Sequence, residues 1–171
     1  IIHGLSIIDA SLKNNYIDVI VEGESAILVN GYPREFEQVV LNIISNAQWA
    51  LIEAAPEKPV IKIKIVQSDD DAVVTIADNG GGIPEDVVDK IFEPYFTTKE
   101  QGQGTGVGLY MSKTIIEKNM EGFLHAANIE GGAQFEIILP LLAGKKSKRI
   151  TKEQETVRDT LTGMLNRKGF I

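Results

Sequence analysis

The sharpest periodicity in the chain is VIKIKIVQS (60–68), where isoleucine alternates with lysine in the manner of a strand with one buried and one wet face. AVVTIADNG (72–80) follows across the turn residues SDDD. YIDVIVEG (16–23) and AILVNG (26–31), joined by EGES, are a second pair of β-branched runs, and FLHAANI and AQFEIILP are a closing pair. Between them lie helical patterns: a long one from Pro33 to Glu53, a short one opened by Pro84 (PEDVVDKIF), and one from about Thr105 to Lys118. Strands in short-turn pairs favour antiparallel neighbours. The pattern therefore predicts an α/β two-layer sandwich: a mixed, mostly antiparallel sheet of about five strands, with three helices on one face.

Composition narrows the function more than the fold. The 171 residues are 43% apolar and 24% charged, as in a soluble globular domain. No apolar run approaches the roughly 20 residues that span a bilayer, and IIHGLSIIDA lacks a basic signal-peptide region, so the cytoplasm is the expected address. There is no cysteine, and His3 and His125 are the only imidazoles, so any metal must be held by oxygen. Residues 1–144 hold nine basic and 21 acidic side chains, net −12, whereas 145–171 hold eight basic and three acidic, net +5. An acidic body excludes a phosphate-tracking nucleic-acid groove. The charge break also predicts a boundary, with 143–157 as a basic linker after a domain spanning 16–142.

Three stretches carry candidate chemistry. In QVVLNIISNAQWAL, Gln38, Asn42 and Asn46 share a helix face; they read either as a wetted stripe or as amides with an oxygen for a hard cation such as Mg²⁺. In ADNGGGIP, Asp78 ends a strand and is followed by Gly80 to Gly82, which read either as an Asx turn or as backbone kept bare for a flat ligand whose amine Asp78 would accept. In KIFEPYFTTKEQGQGTGVGL, Phe92, Tyr95 and Phe96 anchor a loop with the character of a lid over Glu100 to Gln103. Gly104, Gly106 and Gly108 then open the last helical pattern, where free N–H groups favour anionic oxygen. No GxxxxGK[ST] run exists, and no strand precedes the glycines, so P-loop and dinucleotide folds are excluded.

Taken in order, LNIISNA, DNGGGI, FEPYFTTK and GQGTGVGL resemble the N, G1, F and G2 boxes of the ATP-binding catalytic domain of sensor histidine kinases, a superfamily that includes gyrase, heat-shock chaperones and mismatch-repair ATPases. The likeness runs from about Tyr16 to Pro140. It implies ATP and Mg²⁺ as cofactors, Asn46 as the metal ligand with Asn42 beside it, Asp78 as the adenine reader with Gly80, Gly82 and Ile83, and Lys99 at the phosphates. It also assigns Tyr95, Phe96, Thr97, Thr98, Gly104, Thr105, Gly106, Val107, Gly108 and Leu109 to the nucleotide. Trp49 stands where the family more often has a small or acidic residue, and EKNMEGFLHA replaces the usual histidine-glycine turn.

Hydrolysing members of that superfamily carry a water-activating glutamate one turn before the magnesium asparagine. Here the position is Asn42, and a neutral amide has no useful basicity, which favours a protein histidine kinase over an ATPase. A nucleotide-sensing module without phosphoryl transfer is the alternative. His3 precedes Gly4, and His125 sits in a strand pattern as an ordinary sheet histidine, so neither has the setting of a phosphoacceptor. The chain is accordingly expected to be a fragment, monomeric alone, with residues 1–15 ending a dimerisation helix of a homodimeric parent. Its expected partners are the histidine-bearing dimerisation domain and the receiver domain of a response regulator. RDTLTGMLNRKGF resembles the opening of diguanylate cyclase domains, so 158–171 is expected to be either the truncated start of one or a short amphipathic helix and turn.

Overall fold

The computed structural model describes residues 2–23, 27–99 and 104–142, with side chains from Ile8 onward. The basic linker and the cyclase-like stretch lie outside the described residues, as do the expected lid, His3's side chain and the second half of the EGES turn. Helix α1 (Ile2–Asn14) leads into β1 (Asp18–Gly23), α2 (Pro33–Ala54), β2 (Val60–Ser68), β3 (Asp71–Asp78), α3 (Gly108–Thr114), β4 (Phe123–Ile129) and β5 (Gly132–Pro140). The sheet order is β1-β2-β3-β5-β4, with β1 parallel to β2 and the other pairs antiparallel. This is the mixed five-stranded sheet and helical layer that the sequence predicts.

Alternation along the strands decides which face is covered. Ile61, Ile63 and Ile65 of β2, Val74 and Ile76 of β3 and Ile137 and Leu139 of β5 are buried on the helical side, against Phe36, Val39, Val40, Ile43, Ile44, Ala47 and Leu51 of α2. Each such side chain stabilises the fold by about 1.5–3 kcal/mol, so one continuous core fixes α2 across the sheet. Proline at the start of α2 fits the N-terminal turn, and Ala55 ends it in the left-handed region, its N–H donating to Leu51 O. Helix α1 joins the same core through Leu12, while Gln48 donates to Ser11 Oγ at 2.7 Å.

Four local expectations are corrected. AILVNG contributes only a bridge between Val29 and Leu141: Ile27 and Val29 are buried and Leu28 half-buried, so the run alternates like a strand without a ladder. Consequently β1 pairs not with that run but with β2, in parallel. PEDVVDKIF is a chain of turns, Val87 and Val88 N–H donating to Pro84 O and Lys90 N–H to Val87 O. The last helix begins at Gly108 and not at Thr105, and beyond Thr114 it widens into a π-helical turn, Ile115–Asn119. No helix among the described residues is long and apolar enough to cross a membrane.

Candidate active site

Asp78 is the last residue of β3 and is only 5% exposed. Burial pushes its carboxyl above the usual carboxylate range, partly offset by hydrogen bonds from the Gly80 and Ala133 backbone. The Gly80 N–H donates to Oδ1 at 2.9 Å. Close approach is what requires glycine here. A Cβ on Gly132 would lie 1.8 Å from Asp78 O, and one on Gly80 would lie 2.9 Å from the Ala50 backbone of α2.

Beyond Asp78 the chain is pinned on both sides by amides. Asn79 accepts from Val60 N and donates to Lys58 O, both at 2.8 Å. Asn128, on β4, accepts from Ile83 N and donates to Ile83 O, both at 2.7 Å. Between these pins Gly81 and Gly82 take φ of 86° and 87°, and Gly81 N–H donates to Gly131 O.

Helix α2 supplies the opposite wall. Asn42, Asn46, Trp49 and Glu53 recur at helical spacing along it. Asn42 Nδ2 donates to Gly108 O and Ser112 Oγ, each at 3.3 Å, tying α2 to α3. Asn46 Oδ1 accepts from Lys99 Nζ at 3.0 Å, and the same ammonium lies 5.2 Å from the Trp49 ring centroid. Burial lowers the Lys99 pKa from the usual lysine value. The segments carrying Lys99 and the glycines are strapped together: Tyr95, at φ 66°, donates its N–H to Gly106 O at 2.9 Å, and a Cβ on Gly106 would meet the Tyr95 backbone at 2.3 Å.

These elements enclose a cleft of about 660 Å³. Asn42, Asn46, Asp78, Gly80, Gly82, Ile83, Phe96, Thr97, Thr98, Lys99, Gly104, Thr105, Gly106, Gly108 and Leu109, all singled out in the sequence, line it together. Tyr95 and Val107 do not line it. Tyr95 is 80% exposed because its left-handed backbone makes the strap to Gly106, so it contributes main chain and not its ring. Sequence reasoning missed Trp49, Ala50 and Glu53, although they follow Asn46 at helical spacing, and also Ala133 and Phe135, which only the register of β5 beside β3 brings to the floor. His125 is exposed on β4, away from the cleft lining, stacked on Phe123 at 6.2 Å.

The donor set limits what the cleft can hold. Among the described residues no three His, Cys, Asp or Glu side chains form a metal cluster. Asn46 Oδ1 is a single hard oxygen, which suits a cation that takes its other ligands from phosphate and water. Asp78 and the bare backbone beside it suit a flat base bearing an amine.

The sequence profile of histidine kinase-, DNA gyrase B- and HSP90-like ATPases matches residues 31–143. The chain belongs to this family. Membership implies ATP binding, and the related sequences are those of sensor kinases. The two-component sensor PprA of Pseudomonas aeruginosa is 36% identical over 81% of this chain, and sporulation kinase A of Bacillus subtilis is 38% identical over 77%. The chain spans only 15% and 20% of their respective lengths. The catalytic domain of histidine kinase ThkA has the same fold, with a TM-score of 0.68 and 32% identity over 81% of this chain and 88% of that one. ThkA in complex with response regulator protein TrrA matches at a TM-score of 0.64 and 28% identity, over 84% and 40% of the two chains.

Proposed function

We propose that the cleft binds Mg-ATP and that the chain is the catalytic domain of a two-component sensor histidine kinase, passing the γ-phosphoryl group to a histidine on a dimerisation domain. The observation that carries this reading is the difference between two amides of α2. Asn46 presents its oxygen to the cleft, whereas Asn42 is held through its nitrogen by Gly108 and Ser112. Neither amide can take a proton from water, so neither position offers a general base for hydrolysis.

In this reading Asp78 accepts a hydrogen bond from the exocyclic amine of adenine, with Gly82 and Ile83 against the purine and Phe96 and Leu109 closing the apolar side. Thr97, Thr98, Lys99 and the Gly104 to Gly108 backbone face the phosphates. Mg²⁺ held at Asn46 neutralises phosphate charge when bound. As the acceptor imidazole nitrogen bonds to phosphorus and the bond to the ADP oxygen breaks, Lys99 and the backbone N–H groups stabilise the equatorial oxygens, so catalysis is positioning plus electrostatics. Helix α1 is the connection to the dimerisation domain of a cytoplasmic kinase module. A response-regulator receiver domain is the downstream partner, supported by the ThkA–TrrA pair.

Mixing this chain with labelled ATP and a dimerisation domain bearing the acceptor histidine tests the assignment. Acid-labile phosphohistidine is expected on the added domain and none on this chain. Nucleotide binding without transfer supports the sensing module instead, and label on His3 or His125 would overturn the separation of acceptor from catalyst.

A further inference from the structure

The chain's single tryptophan stands three residues after Asn46 on α2, so both side chains project from one helix face into the cleft. Lys99 reaches them from the facing loop. Its ammonium is 3.0 Å from Asn46 Oδ1 and 5.2 Å from the Trp49 ring centroid, within the range of a cation–π contact. The lysine stem is confined as well: a Cβ on Gly104 would lie 3.2 Å from Lys99 Cβ and Cδ, and the Lys99 N–H donates to Thr97 Oγ1 at 3.1 Å. A lysine with four rotatable bonds loses rotamer entropy when fixed, and here Asn46, Trp49 and Gly104 share the restraint of its side chain.

We propose that Trp49 is a positioning residue that holds the Lys99 ammonium at the phosphate end of the cleft. The argument rests on the reading of the cleft as a nucleotide site. Asn46 alone offers one neutral oxygen, and a cation that takes this oxygen would displace the lysine from it and leave the ammonium unheld. The indole face gives the ammonium a second attraction from the side, which persists when a metal takes the Asn46 oxygen. Trp49 therefore acts through Lys99 and has no predicted contact with the reacting atoms. Its effect appears with a triphosphate and is silent toward the nucleoside.

The test compares ATP with adenosine by calorimetry on the full chain, in the parent, Trp49→Leu, Trp49→Phe and Lys99→Met, and in Trp49→Leu combined with Lys99→Met. Trp49→Leu is expected to lower the ATP-to-adenosine affinity ratio by about three- to tenfold, and Trp49→Phe, which keeps an aromatic face, by less than about twofold. In the Lys99→Met background Trp49→Leu is expected to change nothing further. A ratio unmoved by Trp49→Leu, or an equal loss without Lys99, would overturn the proposal. Should the leucine variant fail to fold, Trp49 emission in the parent provides a second readout: a change with ATP but not adenosine, abolished by Lys99→Met, supports the contact, and identical changes with both ligands refute it. If the parent binds neither ligand, the nucleotide reading itself falls, and this inference with it.

Discussion

At the Asp78 end of the cleft every polar contact engages the main chain: Gly80 N–H on the carboxylate, Asn79 on Val60 and Lys58, Asn128 on both groups of Ile83, and Gly81 on Gly131. At the Lys99 end the contacts facing the cleft are largely between side chains, Lys99 with Asn46 and Trp49, and Asn42 with Ser112. The first arrangement is preformed, since strand ends and a pinned loop have little freedom left to lose on binding. In the proposed function the second is an exchange of partners, in which protein groups satisfy one another until phosphate takes their place. One end is thus suited to recognition and the other to handling charge.

The comparison breaks most visibly if β3 and β5 are forced apart. Gly132→Ala places a Cβ against Asp78 O, and a loss of about 3 kcal/mol or more is expected in urea denaturation; unchanged stability would mean the strands are not so close. Asp78→Asn is expected to weaken adenosine and ATP binding together, by about 10- to 100-fold. The same substitution has the opposite effect on stability. Burial raises the Asp78 pKa in the folded chain, so this residue's contribution is fully present below the unfolded pKa and is lost as pH rises through the folded one. At neutral pH the asparagine variant should therefore melt higher than the parent, with the gap closing as the pH is taken down through the acid range; melting curves against pH decide it.

Effects at the other end should be confined to the triphosphate. Asn46→Ala is expected to remove most of the Mg²⁺ dependence of ATP binding, about tenfold in affinity, while adenosine binding stays within about twofold. A parallel loss of adenosine would erase the distinction between the ends. The smallest effect expected is from Asn128→Ala, which frees Ile83: adenosine affinity falls by about threefold, and the Ile83 amide exchanges faster than in the parent. Unchanged exchange would show that the pin is redundant.

What the sequence made legible follows from what periodicity measures. VIKIKIVQS and FLHAANI match β2 and β4 residue for residue, and in β2 the alternation reports one buried face. Periodicity reports burial and not the bonding partner, which is why AILVNG, with Ile27 and Val29 buried, passes for a strand, and why the parallel pairing of β1 was not visible. PEDVVDKIF misleads similarly: Val87, Val88, Ile91 and Phe92 are half-buried at helix-like spacing along a run of turns. In the site, the residues assigned to the nucleotide from the four boxes reach the cleft wall except Tyr95 and Val107. Trp49 and Glu53 were within reach of the Asn42–Asn46 spacing. Ala133 and Phe135 were not, since their place depends on strand register across more than fifty residues of chain.

The most direct test of the account is calorimetric titration of adenosine into the parent chain and Asp78→Asn, with both shown to be folded. Saturable binding by the parent, lost or weakened at least about tenfold in the variant, is the predicted result. Equal affinity in the two would contradict the claim that the buried carboxylate at the end of β3 reads the base.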